Sequence, residues 1–167
     1  MKNVPTTIIA FFARGREIGF VILEEQELVR YGVKTIKGNR QGSAFPTRVE
    51  TALASFCAMG GSSRIVVVER PSRSSRTGAL CNVIGDLTTH WKRTGFPVYT
   101  LSLNEAKRRI CGDPKATHRA VLQRMIERYP RLWPVVTLRK AQNATYWEKV
   151  GLVMALADVA THRFSVL

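Results

Sequence analysis

The sequence predicts an α/β protein whose sheet is mixed and five-stranded, three antiparallel strands followed by two parallel ones, with helices on both faces. Three observations carry this prediction. Residues 6 to 37 form three strand-like segments joined by links too short for anything but antiparallel hairpins. Residues 46 to 104 then alternate between helical and strand periodicity, as crossover units do. From residue 103 onward the pattern is almost entirely helical.

Taken in order, Thr6 to Ala13 is uncharged and rich in β-branched and aromatic side chains, which suits a strand buried on both faces. "ARGRE" (Ala13 to Glu17) reads as a turn, "IGFVILEE" as the second strand, "QE" as a tight link and "LVRYGVKTIK" as a third, alternating strand. A polar loop, "KGNRQGSAF", leads to a helix in "PTRVETALASFCAMGG", where Pro46 suits the first turn, Val49, Leu53, Phe56 and Cys57 share a face, and Gly60-Gly61 ends the pattern. "SRIVVVER" (Ser63 to Arg70) is the fourth strand, parallel to the first. A second helix follows in residues 74 to 95, with Leu80, Val83, Ile84, Leu87 and Trp91 on one face; Val66, Val68, Leu80, Ile84 and Leu87 are expected in the core. "FPVYTLSLN" is the fifth strand, and three helical stretches complete the chain. No repeat, low-complexity tract or linker divides it, so residues 1–167 are expected to form one domain.

Charge is the dominant global feature. Lys and Arg number 26 against 12 Asp and Glu, a formal net charge of +14 with a pI near 10.6. An excess of this size points to a polyanion, most often nucleic acid, either DNA or RNA. No apolar run is long enough to span a bilayer, and the start "MKNVPTT" lacks the features of a signal peptide, so a soluble, cytoplasmic protein without membrane contact is expected. Cys57, Cys81 and Cys111 are odd in number and widely spaced, which argues against a disulfide framework and a zinc site and for inert thiols. His90, His118 and His162 are scattered without a helical metal-site partner, "GGSS" precedes a strand where a phosphate loop would follow one, and no G-x-S-x-G elbow is present.

The chain resembles the RuvC-type Holliday-junction resolvases of the ribonuclease-H-like superfamily over roughly residues 6 to 163. In that family an aspartate ends the first strand, followed by a Gly-containing turn and a Gly opening the second; "IIAFFARGREIGFVI" repeats the pattern through Gly19 but puts Phe12 in the aspartate column. "IVVVERP" places Glu69 on the glutamate that closes the family's fourth strand. "VYTLSLNEAKRRICGDPKATHRAVLQRMIERYP" is similar to the section in which the family has a Gly turn, here Gly112, and a basic patch, here Lys115. The family's last helix opens with two acids one turn apart; "YWEKVGLVMALA" offers Glu148 at the first and Gly151 at the second.

The resemblance implies a ribonuclease-H-like scaffold without most of its catalytic acids. Two-metal phosphodiester hydrolysis holds a pair of Mg2+ ions about 4 Å apart, and hard cations need carboxylate oxygens. The superfamily's first-strand aspartate bridges both ions; a phenylalanine has no lone pair to offer. Phe12 also reads simply as core at the end of a buried strand, and Glu69 as a solvated strand end, a partner of Arg70 or a remnant of the metal site. Glu148 is explained by the helix dipole alone, and Asp158 as a solvated or paired helix residue too distant to complete the site.

The basic residues cluster. Arg70, Arg73 and Arg76 follow the fourth strand beside Ser72, Ser74 and Ser75; Lys107, Arg108 and Arg109 follow the fifth; Lys115, Arg119 and Arg124 lie on the next helical stretch, and Arg139 and Lys140 beyond it. Each run reads alone as a solvated surface, but together they suit a shared phosphate-binding patch. Three readings follow: a nucleic-acid-binding protein with lost or reduced nuclease activity and no cofactor; an active Mg2+-dependent endonuclease on branched DNA that uses Glu69 and Glu148; or an assembly protein, as a homodimer, that holds an acidic partner.

Overall fold

In the computed structural model the described residues are 6–58, 64–70, 78–93, 95, 97–132 and 144–164. Strands β1 (Thr7–Arg14), β2 (Glu17–Glu24) and β3 (Glu27–Thr35) form an antiparallel meander. Helix α1 (Ala44–Cys57) crosses to β4 (Arg64–Arg70), and α2 (Ala79–Arg93) to β5 (Val98–Ser102). Both later strands are parallel to β1, so the sheet order is β3-β2-β1-β4-β5, the mixed sheet expected from the sequence. Among the described residues, helices α3 (Leu103–Cys111), α4 (His118–Arg128) and α5 (Ala144–Phe164) follow, with a 3-10 turn at Pro130–Leu132. Among the described residues no helix is long and apolar enough to cross a membrane.

The sheet separates two apolar cores by strand alternation. Ile8, Ala10, Phe12, Val21 and Val67 face α4 and α5, whereas Ile9, Phe11, Ile18, Val66 and Val68 face α1 and α2. Helix α5 is buried from Val150 to Thr161 because the sheet covers one side and α3 and α4 the other. Gly151 makes the close helix crossing feasible: a Cβ there would stand 2.9 Å from Leu122 Cα.

Val66, Val68, Leu80 and Ile84 are buried as expected. Leu87 is not; it is half-buried in the crevice it lines with Trp91 and Arg64, because the buried face of α2 runs through Leu80, Ile84 and Thr88 and leaves Leu87 at its side. Leu80, at 1% exposure, is the better probe of this packing. Leu80→Ala is expected to cost about 2–5 kcal/mol in urea unfolding; a cost near zero would contradict the placement of α2.

Two strand boundaries differ from the expectation. The β2–β3 link is Glu25-Gln26, both at positive φ (48° and 70°), so Glu27 opens β3. At the other hairpin Gly15 takes φ +60° and turns the chain so tightly that Arg14 still pairs with Glu17. Arg14 is therefore a strand residue, with its side chain two positions on from Phe12 and on the same face.

Candidate functional site

Parallel pairing of β1 with β4 in the register Phe11↔Val68 brings Phe12, Arg14 and Glu69 together at the C-terminal edge of the sheet. Glu69 is 7% exposed. Arg14 meets it through two parallel bonds, Nη2 donating to Oε1 at 2.6 Å and Nη1 to Oε2 at 3.0 Å. Such a fork-to-carboxylate pair is the strongest form of this contact. The guanidinium also lies 5.6 Å from the centroid of the Phe12 ring, within cation–π range. Arg14, rather than the neighbouring Arg70, is thus the partner of Glu69; Arg70 is exposed at the strand end.

Phe12 is buried at 2% exposure, and its ring covers Gly19, its cross-strand partner, so closely that a Cβ at position 19 would run into the ring. The glycine of the second strand has a definite task here, giving room to an aromatic ring. Beside the ring a cavity of about 140 Å³ opens, lined by Phe12, Val68, Glu69, Cys81, Ile84 and Thr88. Burial pushes the Glu69 carboxyl above its ordinary range, and the Arg14 charge only partly offsets it. Burial likewise raises the Cys81 thiol, with the Glu69 charge adding to the effect. Cys81 and Cys111 are free thiols, while the Cys57 side chain lies outside the described residues.

A second group faces this pair from the helices. His118, the first residue of α4, is set by the Thr117 cap, whose hydroxyl accepts from Ala120 N–H at 3.1 Å. Burial lowers the His118 pKa, the Lys107 charge lowers it further, Glu148 opposes and Arg14 adds to the lowering. Arg14, Lys107, His118 and Glu148 are therefore electrostatic neighbours, a convergence that the scattered histidines did not disclose in the sequence. Lys107 rides on α3, whose start is capped by Ser102, accepting from Glu105 N–H at 3.1 Å, and whose end is turned by Gly112 at φ +76°.

The remaining cations divide. Arg108, Lys115 and Arg119 are exposed on α3, the following turn and α4. Arg109 pairs with Glu105 at 3.5 Å and Arg124 with Glu127 at 3.2 Å, so both are partly engaged by their own helices. Arg73, Arg76, Arg139 and Lys140, with Ser72, Ser74 and Ser75, lie outside the described residues. Asp158 is paired, as one of its two expected roles, but buried rather than solvated: Arg128 meets it at 2.5 Å and the Tyr129 hydroxyl donates to it at 2.8 Å. The combination of burial and that carboxylate raises the Tyr129 pKa well above the usual phenol range.

These residues do not fit a pair of divalent ions. Phe12 offers no oxygen, both Glu69 oxygens are taken by Arg14, and position 151, where the resemblance expects a second helix acid, is closed by Leu122 of α4. Among the described residues no group of three or more His, Cys, Asp or Glu comes together in a way that could hold a metal ion.

No family model matches the chain, and no curated relative matches its sequence. Its fold is nonetheless similar to solved structures. A structure of RuvC from Thermus thermophilus matches with a TM-score of 0.59 at 14% identity, over 95% of this chain and 96% of that one. The T. thermophilus RuvC structure in complex with a Holliday junction substrate matches with a TM-score of 0.65 at 15% identity, over 96% of this chain and 94% of that one. The fold is RuvC-like and ribonuclease-H-like, strongly diverged in sequence.

Proposed function

We propose that this single-domain, RuvC-like protein binds nucleic acid, branched DNA in the first place, and does not cut it. The observation that carries this reading is the Arg14–Glu69 pair seated on the Phe12 ring. An internal guanidinium, a fixed cation that cannot be deprotonated, stands against the one matching carboxylate of a scaffold whose hydrolytic chemistry needs free carboxylate oxygens. Glu69 and Glu148 are then remnants of a catalytic set, and the +14 charge of the chain supplies affinity for phosphates. Lys107, Arg108, Lys115 and Arg119, together with Arg70, Arg73, Arg76, Arg109, Arg139 and Lys140, are the cations assigned to phosphate binding.

The test is a four-way DNA junction titrated with the wild-type protein at several salt concentrations, followed by incubation in Mg2+ or Mn2+. Binding should weaken steeply with salt. Arg73→Ala, Arg76→Ala and Lys115→Ala should each flatten the slope by about 0.9, the effect of leaving one phosphate unneutralised; the junction should stay intact. Metal-dependent cleavage that disappears in Glu69→Ala would overturn the reading in favour of a working endonuclease. Absence of binding at low salt would overturn it in favour of an acidic protein partner.

A further inference from the structure

A basic groove lies at the far end of the same sheet edge, between the exit of β3 and the first turns of α1. It encloses about 650 Å³ and is lined by Lys34, Thr35, Lys37, Thr47, Arg48 and Thr51 among others, none of them acidic. Two of its cations are held in place. Arg48 Nη1 donates to the Lys37 carbonyl at 2.8 Å, and its guanidinium lies directly over Gly38, which at φ +107° leaves no room for a Cβ. Lys34 Nζ sits 5.9 Å from the Phe56 ring centroid, its stem laid against α1.

The groove opens on the α1 face of the sheet, around the strand ends from the site described above. Thr35 pairs with Glu17 and Glu17 with Arg14, so β3 is two strand spacings from β1, about 10 Å. The turn between β1 and β2 is tied to the groove, since Ile36 N–H donates to the Arg16 carbonyl at 2.8 Å, and the Arg16 side chain is exposed between the two. The acid on this path, Glu17, is neutralised by Lys149 of α5.

We propose that Lys34, Lys37 and Arg48 form a second phosphate-binding groove that carries the sugar–phosphate backbone of a nucleic-acid strand along the sheet edge, through Arg16, to the Arg14–Glu69 site. The occupant follows from charge complementarity: two positioned cations, the exposed Lys37 and the Thr35 and Thr47 hydroxyls, with no lining carboxylate, suit a run of phosphates. At one phosphate per 3.4 Å of each strand, the 10 Å path spans about three. The proposal rests on the nucleic-acid reading but involves none of the cations assigned to phosphate binding above.

Lys34→Gln/Lys37→Gln tests it, because both side chains are exposed and Arg48, which braces the loop, is left untouched. In junction binding by fluorescence anisotropy the double variant should lose about 1.8 from the salt slope and roughly tenfold in affinity at moderate salt. Lys34→Arg/Lys37→Arg should restore both. An unchanged slope in the Gln variant, with wild-type binding intact, would overturn the groove and leave the nucleic-acid reading standing; no binding by the wild type would overturn both. Loss of polyglutamate binding in the Gln variant without any change in DNA binding would assign the groove to an acidic polypeptide and overturn the proposal.

Discussion

Phe12→Ala is expected to destabilise the protein by about 3–5 kcal/mol in urea unfolding, since a fully buried ring is removed and the surrounding core can collapse only in part. The same cavity gives a sharper expectation. Gly19→Ala alone should also be destabilising, because its new methyl meets the Phe12 ring. In the double variant the methyl enters the space the ring has left, so the two costs should fall short of their sum. Strict additivity would contradict the placement of the ring over Gly19.

Arg14→Ala is the second large effect. It leaves Glu69 buried without its counter-charge, a change that costs about 3–5 kcal/mol for a fully buried pair; with Arg14 37% exposed, water replaces part of the interaction, and about 3 kcal/mol is expected. The sign with pH follows from the raised carboxyl of Glu69. A carboxyl whose folded pKa exceeds its unfolded value contributes most favourably when protonated, below the ordinary 4.5, and that contribution is lost as pH rises through the folded pKa. The cost of Arg14→Ala should therefore be small below that value and large at neutral pH. Glu69→Gln in the same background should recover most of it; thermal unfolding across this pH range reads both.

Much of the fold was legible because its signals are local. β1 is uncharged and apolar nearly throughout, short links pin the meander, and the apolar run of β4 ends at Glu69 where the strand leaves the core. Features set by tertiary packing were not. "ARGRE" carries the charge and glycine of a turn, so Arg14 read as part of it; only the tightness of the Gly15 turn keeps Arg14 in the ladder. Strand alternation from Phe12 was the signal that could have found it. For Asp158 the sequence leaves solvated and paired open, because its partners, Arg128 and Tyr129, come from outside its own helix. The role of Gly151 depends on how near α4 comes, and helical periodicity carries no information on that.

Arg14 occupies both oxygens of the Glu69 carboxylate, which leaves neither free to ligate a metal ion. A calorimetric titration of Mg2+ into the wild-type protein, with Glu69→Ala as the control, tests it most directly. No saturable binding is expected in either protein; stoichiometric Mg2+ binding by the wild type that is abolished in Glu69→Ala would contradict the claim.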